Sequence, residues 1–279
     1  MSVERTIAEH YTLASLEETI LDAVRRAGHD PDHLSSDDLA PIDELHIGGR
    51  VATEALAGQM GLRPGMRLLD VGSGIGGPAR YFARHHGCHV VGVDLTEQYV
   101  EIATSLSRRV GLGDAVAFHH ASALALPFPS HSFDGAYMLH VGMNIEDKAT
   151  LVAQVRRVLR PGAIFAIYDV MRTGSGELEF PVPWAATAQT SFVAEPATYR
   201  CLLGEAGFHV EAERERRSFA IDFFRELTAA VAAGQPPPMG LHLVMGGDFP
   251  AKIRHVIGAL EGAVIAPVEL LARTPATGA

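Results

Sequence analysis

The stretch Leu68-Leu69-Asp70-Val71-Gly72-Ser73-Gly74-Ile75-Gly76-Gly77 constrains this fold more than any other. An apolar run ends in an acid, breaks into glycines and passes at once into a helical pattern, Pro78-Ala79-Arg80-Tyr81-Phe82-Ala83-Arg84. A strand that turns through glycines into a helix is the opening unit of a parallel α/β sheet, and it sets a ligand site at the carboxyl end of that strand. Glycines suit the turn because a ligand there meets bare backbone and because a tight turn calls for positive φ. The helix N-terminus adds free N–H groups, and Pro78 falls in the first turn, where its missing donor costs nothing.

Beyond this unit, apolar runs and helical patterns alternate. Strands are expected near 66–71, 88–94, 115–120, 133–139 and 162–169, with helices near 77–86, 97–110 and 146–159 between them and a loop at 124–129. Such alternation predicts an α/β fold: a doubly wound, mostly parallel, seven-stranded sheet with right-handed crossovers, N-terminal helices and a C-terminal helical cap. Before the sheet, Leu13, Leu16, Ile20, Leu21 and Val24 recur at helical spacing, Gly28 suits a C-cap, and residues 30–38 read as a polar turn. After Arg172 the alternation loosens into an irregular insertion around Pro181-Val182-Pro183-Trp184. A helix near 196–206 and a strand near 208–214 follow. Helices near 219–232 and 249–259 flank Gln235-Pro236-Pro237-Pro238, and a last strand is expected at 264–271. Three parts are expected: a helical segment 1–62 over the site, a ligand-binding core 63–175, and a substrate cap 176–279 that also returns the last strands.

At 279 residues with 47% hydrophobic content, the chain can bury a sizeable core. A formal net charge of −10 argues against a nucleic-acid partner, and Arg214, Arg216 and Arg217 are interleaved with Glu211, Glu213 and Glu215 as on a solvated face. Cys88 and Cys201 make no disulfide framework. No signal-peptide pattern opens the sequence, and no apolar stretch approaches the ~18 residues of a membrane span, so a soluble, cytoplasmic protein without membrane contact is expected. Metal is not expected, because His85-His86 and His119-His120 are adjacent pairs whose side chains diverge.

Gly72, Gly74 and Gly77 satisfy G-x-G-x-x-G, which alone would also suit a dinucleotide-dependent oxidoreductase. Asp70 leans the other way, since an acid just before the glycines suits an ammonium better than a pyrophosphate. The second acid, Asp94, ends Val90-Val91-Gly92-Val93 and suits a ribose diol in either case. No Tyr-x-x-x-Lys pair supports hydride chemistry. Three more stretches matter: Val93-Asp94-Leu95-Thr96, Leu126-Pro127-Phe128-Pro129-Ser130-His131-Ser132-Phe133-Asp134, and Val158-Leu159-Arg160-Pro161-Gly162. In this order, after the glycine stretch, residues 66–170 resemble the class I S-adenosylmethionine-dependent methyltransferases. The pattern Gly-Ile-Gly-Gly-Pro-Ala-Arg-Tyr is most similar to the small-molecule branch with sterol and tocopherol C-methyltransferases, sugar O-methyltransferases and sarcosine/dimethylglycine N-methyltransferases.

That resemblance implies S-adenosylmethionine as cofactor. Asp70, Gly72, Gly74 and Gly76 would face its methionine part, Asp94 its ribose hydroxyls, and Leu95 its adenine. Relatives usually carry an acid for the adenine amino group at the position matching Ser122, so the contact would be weaker here or rebuilt from the backbone of Ala123. Gln98 either reaches the ribose or adenine edge or faces solvent.

A hydroxyl or protonated-amine acceptor needs a base, and His140, after Tyr137-Met138-Leu139, is the candidate, also matching a catalytic histidine of the sugar O-methyltransferases. Asp169, on the same rim, would orient that imidazole, pair with a cationic substrate, or cap the adjoining turn. Substrate candidates are His46, in Leu45-His46-Ile47-Gly48-Gly49; Tyr11, whose ring suits a sulfonium; Arg172, which suits a carboxylate; and Trp184, the single tryptophan, with Phe180 and Phe192 as an apolar wall. Each of the four has a purely structural reading beside the functional one. O- or N-methylation of a small molecule is favoured over C-methylation, and the C-terminal segment is a candidate dimer contact.

Overall fold

A computed structural model describes residues 3–11, 15–233 and 239–276, except for the Tyr11 side chain. Seven strands form one sheet: β1 (Arg67–Val71), β2 (His89–Asp94), β3 (Val116–His120), β4 (Phe133–Leu139), β5 (Leu159–Arg172), β6 (His209–Glu215) and β7 (Ile265–Arg273). Their order is β3-β2-β1-β4-β5-β7-β6, with β7 antiparallel to both neighbours and the rest parallel. Strand order reverses between β1 and β4, and a crevice opens there beyond the carboxyl ends.

The helices in chain order are α1 (Val3–Tyr11), α2 (Leu16–Arg26), α3 (Ser36–Asp43), α4 (Gly49–Ala57), α5 (Gly77–His86), α6 (Glu97–Arg109), α7 (Lys148–Val158), α8 (Pro196–Glu205), α9 (Arg217–Ala232), α10 (His242–Met245) and α11 (Phe249–Glu261). The central strands are apolar on both faces because both faces are covered. Leu69, Val71, Val93, Met138 and Ile167 pack towards α7 and α8, whereas Leu68, Val90, Tyr137 and Ala166 pack towards α4 and α5. Adjacent leucines in β1 thus serve opposite layers, as a period of two requires.

The structure departs from the sequence reading in local respects. Residues 36–43 form a helix rather than continuing a turn. Ser35 and Asp38 make a reciprocal capping box, with Ser35 N donating to Asp38 Oδ2 at 2.8 Å and Asp38 N to Ser35 Oγ at 3.3 Å. The N-terminal helical pattern is divided between α1 and α2, with Ser15 at φ 58 before the second; Leu13 lies outside the described residues. β5 starts at Leu159, three residues ahead of expectation, because a register shift opposite Phe133–Gly135 absorbs Pro161 and Gly162 within the strand. The Gln235–Pro238 break lies outside the described residues.

Two packing features hold the glycine turn in place. Gly77 leaves no room for a side chain, since a Cβ there would collide with the Asp43 carbonyl. Arg80, fully buried on α5, donates to Asp43 Oδ2 (2.7 Å), the Ile75 carbonyl (2.8 Å) and Ser107 Oγ (3.0 Å). One guanidinium therefore ties α3, the turn and α6 together. Removing one partner of such a buried pair typically costs about 3–5 kcal/mol.

Candidate active site

The crevice is one cavity of about 310 Å³ that runs from the glycine turn to an apolar chamber under the C-terminal helices. Its first part is built from the ends of β1, β2 and β3. Gly72 adopts φ +72, and a Cβ there would overlap the Val141 side chain, so only glycine lets the two loops close together. Gly72 and Gly74 line the cavity. Asp94 at the end of β2 accepts Gly74 N at 2.8 Å and Thr96 N at 2.9 Å, which fixes both the turn and the entry to α6. Burial raises its pKa, opposed by these backbone donors. A carboxylate has about four acceptor sites, and the two backbone donors together with the Thr96 hydroxyl leave acceptor capacity for a ligand hydroxyl. Leu95, Ser122 and Ala123 line the same part, with Thr96 and Tyr99 from α6.

Three expected cofactor residues stand outside the lining. Asp70 is buried behind the turn, where burial pushes its carboxyl up to about 8, with the neighbouring Tyr137 hydroxyl pulling the other way. Gly76 is the N-cap of α5 and packs against Phe118 and Arg80 rather than the cavity. Gln98 is displaced by Thr96 and Tyr99, which lie three residues apart on one helix face and so reach the cavity together.

His140, at the end of β4, marks the junction of the two parts. Its backbone adopts φ 54, an uncommon conformation for a non-glycine residue, and its N–H donates to the Tyr168 carbonyl at 2.7 Å. The ring stands against His46 (centroids 5.9 Å) and Tyr168 (5.0 Å). Its Nε2 is buried without a hydrogen-bond partner among the described residues. Burial, and then the neighbouring His46, hold its pKa well below the usual value, so the ring is neutral at pH 7. His46 also lines the cavity, but its Nε2–H is committed to the Gly49 carbonyl (3.0 Å), a tautomer assigned from that contact. Burial lowers its pKa to about 4.

Asp169 does not join this pair. It is fully buried, accepts the Tyr199 hydroxyl at 2.5 Å and the Val170 N–H at 3.0 Å, and packs against Gly142. Burial raises it to about 6, against the pull of Tyr199. Its role is to fasten the turn after β4, and its side chain is separated from the cavity by that turn. Arg172 likewise turns away, donating to the Gly176 carbonyl at 2.7 Å.

The chamber beyond His140 is largely apolar. Trp184 forms one wall, 3% exposed, with its indole N–H donating to Ser191 Oγ at 2.9 Å. Phe180 and Phe192 do not accompany it; Phe224 of α9 and Val244, Met245, Ile253 and Val256 of the last helices do. Lys252 enters from α11, donating to the Met245 carbonyl (2.8 Å) and pairing with Asp248 (2.9 Å). From the N-terminal side, Glu4 and His10 of α1 complete the enclosure; the Tyr11 side chain lies outside the described residues. Sequence reasoning missed Glu4, Tyr99, Lys252 and Phe224, none of which sits in a recognisable motif. Among the described residues, no three His, Cys, Asp or Glu side chains cluster to hold a metal ion, and no helix is long and apolar enough to cross a membrane.

A 3-2-1-4-5-7-6 sheet with a glycine turn after β1 and a carboxylate ending β2 defines a class I S-adenosylmethionine-dependent methyltransferase fold. Residues 69–167 match the family model described as "Methyltransferase domain", so this part of the chain carries that domain. A sterol 24-C-methyltransferase of Gibberella zeae is 37% identical over 118 residues, covering 42% of this chain and 31% of that enzyme. A 27-O-demethylrifamycin SV methyltransferase of Amycolatopsis mediterranei is 38% identical over 119 residues, covering 43% and 44%. The chain thus spans under half the length of these curated relatives. The geranyl diphosphate C-methyltransferase of Streptomyces coelicolor A3(2) superposes over 98% of both chains with a TM-score of 0.72 at 17% identity, a likeness of fold. The comparisons support S-adenosylmethionine as the cofactor, and the open glycine cradle with the remaining acceptor capacity of Asp94 fits it.

Proposed function

We propose that this protein transfers a methyl group to a hydroxyl oxygen, or an amine, of a small and largely apolar molecule, with His140 as the base. The observation that carries this reading is the buried Nε2 of His140, which has no hydrogen-bond partner among the described residues, on a side chain lining the cavity that holds both the glycine cradle and the apolar chamber. When bound, S-adenosylmethionine supplies a methyl carbon already activated by a positively charged sulfur. The chain's own task is then mainly alignment, which is worth roughly 7–11 kcal/mol. Backbone of the glycine turn would hold the amino-acid end, and the spare acceptor sites of Asp94 the ribose diol.

In the chamber, Trp184, Phe224 and Ile253 exclude water and orient an apolar body. His140 accepts the hydrogen bond of the acceptor hydroxyl and takes its proton as the oxygen commits its electron pair to the methyl carbon. A weakly basic imidazole suffices because the hydroxyl proton becomes strongly acidic as that bond forms. His46 and Tyr168 pack against the ring and hold it in place, and burial, then His46, keeps it neutral. Asp169 has no part in this. The rifamycin relative supports oxygen as the acceptor; the sterol relative supports carbon, where no base of this kind is needed for the bond-forming step.

The test has two stages. Calorimetry on the full chain is expected to register S-adenosylhomocysteine binding, and its absence would remove the reading. A mass-spectrometric screen of apolar alcohols, amines and alkenes for products heavier by one methyl then identifies the acceptor. On a hydroxyl acceptor, His140→Ala is expected to slow turnover about 10²–10⁴-fold with little change in cofactor affinity. Unchanged turnover would refute the base.

A further inference from the structure

The three parts of the cofactor are joined in a fixed order, so its placement is constrained once two are seated. With the amino-acid end at Gly72–Gly74 and the ribose at Asp94, the base must lie on the far side of β2 from β1. There the cavity is walled by Leu95, Tyr99 and residues 121–124. Ser122 brings no charge, but its hydroxyl is not left to solvent. It accepts the Leu124 N–H at 3.1 Å and donates to Glu4 Oε1 at 2.5 Å, so the carboxylate of α1 stands at the edge of the nucleoside pocket. The other acids of the lining have different commitments. Asp94 serves Gly74 and Thr96, Asp147 caps α7 through Thr150, and Glu146 lies at the exposed rim.

We infer that Glu4 selects the base of the cofactor, accepting a hydrogen bond from the exocyclic amine of adenine. The inference rests on the methyltransferase reading above. The hydroxyl of Ser122 uses one of about four acceptor sites on the carboxylate, leaving others for an amine donor. A ring carrying a carbonyl at that position would present an acceptor to an acceptor and be rejected. Recognition is thus delivered by an element more than a hundred positions away in the chain, on the helix that also covers the pocket through Val3 and Ile7. The far end of the same helix is anchored by His10 Nε2 on the Pro183 carbonyl at 3.1 Å. Seating the base and seating α1 become one event.

The experiment compares S-adenosylhomocysteine with S-inosylhomocysteine, in which the amine is a carbonyl, by calorimetry on the full chain. Wild type is expected to prefer the adenosyl form roughly ten- to hundredfold. Glu4→Ala brings the ratio close to unity. Glu4→Gln, whose amide can donate, shifts it towards the inosyl form. Ser122→Ala removes the same contact from α1 yet keeps most of the preference, which separates base recognition from mere anchoring of the helix. A Glu4→Ala protein that binds both ligands with the wild-type ratio overturns the inference alone. A wild-type protein that binds neither removes the cofactor reading beneath it.

Discussion

Asp70 turns the glycine motif into a pH-dependent load on the fold. Its carboxyl is buried and titrates near 8 instead of the ordinary 3.8. A group whose folded pKa is raised contributes its stability below the unfolded value and loses it as pH rises through the folded one. Between pH 3.8 and about 8 the folded chain therefore holds a proton that the unfolded chain releases, and stability falls by 1.36 kcal/mol per pH unit from this residue. Over the whole interval the loss amounts to about 5–6 kcal/mol. Asp70→Asn is neutral at every pH and removes that slope, while the histidines and Asp169 titrate alike in both proteins and cancel in the difference. Urea unfolding at pH 5, 6, 7 and 8 is the assay. The stability of the variant minus that of wild type is expected to climb by about 1.4 kcal/mol per unit up to pH 8 and then level off. Parallel profiles would show that Asp70 is ionised in the fold and that the burial argument is wrong. A second reading comes from calorimetry near pH 7 in buffers of different ionisation enthalpy. A cationic cofactor seated in front of the carboxyl favours its ionised form, so S-adenosylmethionine binding should release a proton that Asp70→Asn does not.

Gly72→Ala sets a methyl against Val141 at positive φ; about 1–3 kcal/mol of stability should be lost and S-adenosylhomocysteine binding weakened, and Val141→Ala should restore part of both. Tyr199→Phe strips a donor from the buried Asp169 carboxylate. Thermal unfolding at pH 7 should report a loss of about 1.5–3 kcal/mol, while the pH profile of turnover stays that of wild type. A displaced profile would return Asp169 to the chemistry. His140→Ala, as described, tests the base itself.

The legible parts of the molecule are those whose physics is local. The parallel core was readable because each strand is a short apolar run ending at a turn signal, and Gly72, Gly74, Asp94, Leu95, Ser122, Ala123 and His140 all lie on the carboxyl-end rim that this topology creates. Position on the rim does not determine direction, which is where the reading failed. Asp169 lies within β5 one residue beyond the Leu139–Tyr168 pair, level with His140, yet the turn at Gly142 separates them and Tyr199, thirty residues on, claims the carboxylate. Asp70 and Gly76 belong to the motif but serve the layer behind it. Gln98 and Tyr99 are sequence neighbours on α6, about 100° apart around the helix, and only Tyr99 reaches the cavity. The chamber was least legible, because Glu4, Phe224, Val244 and Lys252 meet only through packing of the two chain ends, and nothing in the spacing of their residues records the encounter.

Trp184, with its ring in the chamber wall and its N–H held by Ser191, has one more consequence. Because the chain has a single tryptophan, its tryptophan emission, excited selectively at the long-wavelength edge where tyrosine does not absorb, comes from that wall alone. An apolar guest that displaces solvent from the indole should shift the emission to the blue, and loosening of the roof should shift it to the red. The protein thus carries an intrinsic optical gauge of whether its acceptor chamber is dry, readable without a label before any acceptor has been identified.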